Sequence, residues 1–281
     1  MTASSSKDTV FVFVHGAWHG SGQWAATQRA LAALGAASMA VDLPGHGFDA
    51  PLPTGYLRPG QPGLLTEKSA LATLTMDDCA EAVLDTLRQA RRHRRVVLVA
   101  HSAGGGPASL AAEHAPELVD EIVYLSAFVP AGRPRFIDYL GSPENATARG
   151  RSLNLGDPAE LGAVRINPLS QDPAYVEELR QTHYHDTPLG RFDRWRSALS
   201  PDLPLALPNS PVIVTPGRWG RIPRTFLRCA DDRALPTAVQ DLMIAEADRA
   251  VPGTPFTVRT LPGSHSPFAA RPRELAASLL L

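Results

Sequence analysis

An excess of charge of either sign is the first thing missing: 27 Lys plus Arg stand against 28 Asp plus Glu over 281 residues, a formal net charge of -1. So even a balance offers no electrostatic footprint for a nucleic acid or an anionic membrane surface. The densest basic stretch, Arg88 to Arg95, reads as the solvated end of a helix, where cations meet the negative end of the dipole. Cysteine is nearly absent, with only Cys79 and Cys229, and two distant cysteines fit free thiols in a reducing compartment better than a disulfide framework. No apolar run is long enough to span a membrane. Met1 to Asp8 is polar and lacks the apolar core of a signal peptide. The expectation is a soluble cytoplasmic protein, and Asn145-Ala-Thr147 is then a chance match to the glycosylation sequon. His183-Tyr-His185-Asp186 is the one local cluster with metal-ligand chemistry. No matching cluster exists elsewhere, so no metal and no cofactor are expected.

What the chain does have is 44% hydrophobic residues, arranged as short buried runs that alternate with helical segments. The runs are Val10 to Val14, Ala37 to Leu43, Arg95 to Ala100, Glu121 to Ala127, Arg224 to Cys229 and Pro255 to Leu261. Few of their positions alternate with polar residues, as expected of strands covered on both faces. Between them, helices are expected over Ser21 to Leu34, Thr75 to Arg91, Ala103 to His114, Pro236 to Arg249 and Arg273 to Leu281. Thr75 is a good N-cap, followed at once by carboxylates. Strand–helix alternation of this kind predicts an α/β fold with a mostly parallel sheet of about six strands. Two stretches break the rhythm. The Pro- and Gly-rich segment 47–74 reads as an ordered loop or flap. Residues 128–211, with scattered aromatics, many helix breakers and no clear strand, read as an inserted cap, mostly of short helices. The core is then 1–127 plus 212–281.

The segment from Val96 to Gly106, VVLVAHSAGGG, ends a buried strand at Ser102 and starts a small-residue helix immediately. A sharp strand-to-helix turn of this kind pushes a serine hydroxyl out above the sheet, and small residues two before and two after it, here Ala100 and Gly104, let strand and helix pack closely. A serine hydroxyl needs a base, and the base needs an orienting carboxylate. In the order serine, acid, histidine, both follow at the ends of later strands: Asp231-Asp232 after Cys229, and His265 after Leu261. Spacing alone does not separate Asp232 from Asp231. Backbone N–H groups of Ala17, in the turn after the first strand, and of Ala103, at the start of the helix, are the candidate oxyanion hole. Gly16, Trp18 and Phe128 are expected to contact substrate. His15 and His19 read as loop hydrogen-bonding residues, and Asp42 to Gly47 as turn architecture.

Taken together, these stretches resemble the α/β-hydrolase superfamily, and within it the plant-type methylesterase and hydroxynitrile-lyase family with its bacterial esterase relatives. The resemblance is carried by FVFVHGAWHG over 11–20, DLPGHG over 42–47, AHSAGG over 100–105, TPGRWGRIP over 215–223, CADDRALP over 229–236 and Gly263-Ser-His265. It implies a six-stranded core, a helical cap and Asp232 as the acid. It also implies a choice of chemistry. The lyase branch relies on a threonine where Gly16 stands and a lysine where Ser266 stands, so the expected reaction is carboxylic-ester hydrolysis through an acyl-enzyme, on a small, largely apolar substrate. The alternatives are cyanohydrin cleavage and a non-catalytic ligand-binding protein on the same scaffold. Trp195, Tyr184 and Phe192 suit either an apolar pocket or the core of the cap.

Overall fold

The computed structural model describes residues 8–281. Six strands, β1 (Thr9–Val14), β2 (Ala37–Val41), β3 (Arg95–His101), β4 (Glu121–Leu125), β7 (Arg224–Cys229) and β8 (Thr257–Leu261), form one sheet in the order β2-β1-β3-β4-β7-β8. Every neighbouring pair is parallel. Their apolar runs divide by alternation, as a pleated strand requires. Val10, Val12 and Val14 with Val96, Leu98 and Ala100 enter one core cluster, while Phe11 and Phe13 with Val97 and Val99 enter another. Each face is therefore covered, and a run such as Thr9–Val14 is buried at all six positions.

The first face lies against α2 (Met76–Ala90), α3 (Gly105–His114) and α9 (Thr237–Ala250), which contribute Val83, Ala108, Val239 and Met243. The second lies against α1 (Ala25–Ala33), α10 (Pro267–Ala270) and α11 (Pro272–Leu279), with Leu31, Phe268 and Leu275. Helix α2 begins with the expected cap. The Thr75 side chain accepts from Asp78 N–H, and the Asp78 carboxylate accepts from Thr75 N–H, which satisfies two otherwise unpaired donors.

From β1 the chain steps outward to β2 and then returns to β3 on the other side. Strand order therefore reverses between β1 and β3, and in an open parallel sheet the crevice beyond the carboxyl ends of such strands is the natural ligand site. The loop after β1 and the Ser102 turn after β3 meet there.

The stretch between β4 and β7 holds α4 (Phe136–Leu140), α5 (Pro158–Leu161), α6 (Pro173–His183), α7 (Leu189–Ser197) and α8 (Ala206–Asn209). It also holds an antiparallel ribbon of β5 (Ala163–Arg165) and β6 (Asp202–Pro204), in a stretch whose sequence shows no clear strand. Three-residue strands carry no period to detect. Their pairing rests instead on a buried ion pair: Arg165 faces Asp202 with Nε–Oδ1 2.6 Å and Nη2–Oδ2 2.8 Å. The same guanidinium donates to the carbonyls of Leu64 and Glu67, which ties down the 47–74 loop. Both cysteines are free and buried. No described helix is long and apolar enough to cross a membrane.

Candidate active site

Ser102 sits between the end of β3 and the single 3-10 turn Ser102–Gly104 that opens into α3. Its φ is 51°, a left-handed conformation that costs a serine about 1–3 kcal/mol and persists where the surroundings over-determine it. The surroundings do so here. A Cβ on Gly104 would overlap the carbonyl oxygen of His15, and Phe128 N–H donates to the Ser102 carbonyl at 3.0 Å. The turn is thus wedged between the β1 loop and the chain leaving β4. Ala100 lies in the sheet between Val14 and Tyr124.

Across the crevice, His265 Nδ1 lies 2.6 Å from Asp232 Oδ2. A carboxylate only accepts, so Nδ1 carries the proton and the Nε2 lone pair is free. Asp232 is buried and its other oxygen accepts from the N–H groups of Ala234 and Leu235, both at 2.8 Å. Its neighbour Asp231 is exposed. The Asp231 carboxylate accepts from Gly263 N–H at 3.0 Å while its own N–H donates to the Gly263 carbonyl. One aspartate faces the histidine and the other zips the two loops together.

The histidine is braced from behind by His101, the last residue of β3. His101 Nε2 donates to the His265 carbonyl at 2.9 Å, and the two rings lie 4.6 Å apart. The remaining neighbours are also imidazoles. His19, in the loop after β1, donates through Nδ1 to the Ala17 carbonyl at 2.7 Å and accepts at Nε2 from the Tyr184 hydroxyl at 2.5 Å. His183, at the end of α6, sits with its ring 5.6 Å from that of His265. Burial holds His15, His101 and His183 well below the ordinary histidine range, and pushes His19 down to about 3. His19, His101 and His183 are thus neutral surfaces around His265, whereas His15 packs on His46 and accepts from Leu43 N–H.

Ser102, His265, Ala17, Trp18 and Ala103 line one cavity of about 400 Å³, a size in the range of small-molecule sites. Ala17 N–H lies in a turn and has no hydrogen-bond partner among the described residues, and Ala103 opens a helix, where N–H groups lack intrahelical acceptors. The far wall comes from residues 136–209, among them Phe136, Leu140, Leu203 and Leu205, with Arg149 and Arg151 on the polar side. Arg149 is ion-paired to Glu178.

Two of the expected substrate contacts lie elsewhere. Phe128 is fully buried beneath the pocket, stacked on Phe136 at 5.1 Å between centroids; the residue it packs on is the one that reaches the cavity. Gly16 lies under Ser102, where a Cβ would come within 2.8 Å of both Ser102 Cβ and His101 Nδ1. Trp18 does line the cavity, and its indole N–H donates to the Val164 carbonyl in β5 at 3.0 Å. Tyr184 and Phe192 belong to the buried core, with Trp195 packed against it. The His183–Asp186 cluster disperses. His183 lines the pocket, His185 bonds the Asp231 carbonyl, and Asp186 accepts from Ser264 N–H. Among the described residues no group of three or more His, Cys, Asp or Glu is arranged to hold a metal ion.

Sequence reasoning passed over His101 and Ser126. The first adjoins the serine and was within reach of inspection, whereas the second depends on how distant segments meet.

The model of the alpha/beta hydrolase family matches residues 11–278, so the chain belongs to that family. Among its relatives, a pyrethroid hydrolase of Sphingobium wenxiniae is 29% identical, the match covering 96% of this chain and 86% of that one. Methylesterase 1 of Arabidopsis thaliana is 28% identical over 83% of this chain and 82% of its own. The crystal structure of a pyrethroid hydrolase from Sphingobium faniae superposes with a TM-score of 0.75 at 26% identity, covering 97% of this chain and 96% of that one.

Proposed function

We infer that Ser102, His265 and Asp232 act as a catalytic triad in this carboxylic-ester hydrolase. The observation that carries the reading is the pairing of a strained serine with a carboxylate-bound histidine at the mouths of β3 and β8, both lining one cavity. His265 Nε2 takes the Ser102 proton as the hydroxyl attacks the ester carbonyl. The Ala17 and Ala103 N–H groups face the developing oxyanion; one such donor is worth about 3 kcal/mol in the transition state. The proton then passes from His265 to the departing alkoxide, and a water activated by the same imidazole releases the acyl group.

Substrate choice falls to residues 128–211 as a cap. The relatives include a pyrethroid hydrolase and methylesterases, and the cavity walls are mainly aliphatic and aromatic, so a largely apolar ester of moderate size is the proposed substrate. Two free buried cysteines support a reducing, cytoplasmic setting. The lyase reading has less support: Ser266 is buried and brings no cation, and a side chain at position 16 would press on Ser102. A fluorophosphonate probe is expected to label wild type rapidly at Ser102, with labelling and aryl-ester turnover both lost in Ser102→Ala. The expected loss in kcat is on the order of 10⁵–10⁶-fold. Folded wild type that neither labels nor turns over any aryl ester would favour the binding-protein alternative.

A further inference from the structure

Four non-glycine residues among those described have a left-handed backbone: Trp18, Gln61, Ser102 and Ser126. Trp18 shapes the loop after β1, and Ser102 is the proposed nucleophile. Ser126, with φ 41°, has had no role so far. It follows β4, is fully buried, and donates its N–H to the Leu227 carbonyl at 2.9 Å. Its hydroxyl donates to Asp232 Oδ2. That is the oxygen that receives His265 Nδ1–H, while Oδ1 is occupied by Ala234 and Leu235. The carboxylate therefore accepts four donors, and Ser126 alone shares an oxygen with the histidine.

Glycine adopts this backbone region freely and serine does not, so the hydroxyl is what the position gains from a serine. We propose that Ser126 is a positioning residue for the Asp232–His265 pair: it holds Oδ2 in line with Nδ1 and draws off part of the carboxylate charge. The proposal rests on the reading of Asp232 as the triad acid. Sharing the oxygen weakens the hold of the carboxylate on the imidazolium, so losing the hydroxyl leaves His265 easier to protonate and harder to discharge.

The charges around the pair make this measurable. His265 is faced by His101 from β3, His183 from α6 and His19 from the β1 loop, all kept neutral by burial. Asp232 is faced by Cys229 of β7, whose thiol burial pushes up. The remaining charges nearby are Asp186, with Arg271 Nε at 3.7 Å, and Asp231 on the outer side of the loop. The acid limb of kcat/KM is the readout for the Asp232–His265 pair.

Ser126→Ala keeps the backbone strain and removes the hydroxyl; Ser126→Gly removes both. With a short-chain aryl ester, both variants are expected to lose about 10- to 100-fold in kcat, the size of a lost hydrogen bond to a charged group, with KM unchanged. In both, the acid limb is expected to move up by about half a pH unit or more, and Ser126→Gly is expected to melt no lower than Ser126→Ala. An acid limb that stays in place in either variant overturns the proposal whatever the rate. So does an Ala variant that behaves as wild type while the Gly variant is impaired, because the backbone would then be responsible. Failure of the triad reading itself shows separately, as wild type that does not label at Ser102.

Discussion

On the sheet side of the pocket, backbone meets backbone: Gly104 abuts the His15 carbonyl, and Phe128 N–H reaches the Ser102 carbonyl. On the opposite side, the wall contributed by residues 136–209 adds side-chain anchors to its backbone bonds, chiefly the Arg165–Asp202 pair and the Trp18 indole bonded to Val164, with Ser200 N–H bonded to the Trp18 carbonyl. The first arrangement leaves almost no room for substitution and gives one geometry for the reacting groups. The second tolerates changes of sequence as long as a few anchors survive.

If the two walls are held independently, breaking the outer anchor should harm stability more than chemistry. Asp202→Ala strands the Arg165 charge, which is fully buried, and the expected cost is about 3–5 kcal/mol. For a chain of this size that lowers the melting temperature by on the order of 10 °C. Below the new melting temperature, fluorophosphonate should still label Ser102 at close to the wild-type rate. A labelling rate that falls a hundredfold would mean that the ribbon also sets the geometry of the serine.

Gly104→Ala tests the inner wall and should give the opposite balance. The new methyl must displace either the β1 loop or α3, at a cost of about 1–3 kcal/mol in stability. Its main effect should fall on the labelling rate, because moving either element moves Ser102 relative to Ala17. If thermal melting drops while labelling is unaffected, the close approach serves packing alone.

The same division explains what could be read in the sequence. The sheet was legible because strands covered on both faces must be continuous apolar runs. Arg224–Cys229 matches its strand end for end, and Thr75 caps α2 as its side chain predicts. Ser102 and His265 were legible because a turn motif and a chain order constrain them. Asp231 and Asp232 were not separable by spacing, since adjacent residues on a turn point in different directions. In the fold Asp232 faces His265, while Asp231 bonds Gly263. The outer wall was the least legible part. Strands of three residues have no period, and the ion pair that joins them links positions 37 residues apart. The position of Phe128 is hard to read for a related reason: whether an aromatic after a strand reaches the cavity or lies beneath the one that does depends on packing, here against Phe136.

Trp18 belongs to both walls, so it offers the finest test of their separation. It follows Ala17 in the β1 loop, has φ 60°, and binds the outer segment twice. The indole donates to Val164, and its carbonyl accepts from Ser200 N–H at 2.8 Å. Trp18→Phe removes the indole bond and some ring area while keeping an aromatic in place, and the expected loss is about 1 kcal/mol. With the backbone bond to Ser200 intact, Ala17 should keep its place, so KM is expected to rise about fivefold with kcat unchanged. A fall in kcat comparable to that of Gly104→Ala would show that the outer segment holds the β1 loop as well as the cavity wall. The two walls would then be a single unit coupled through this one residue.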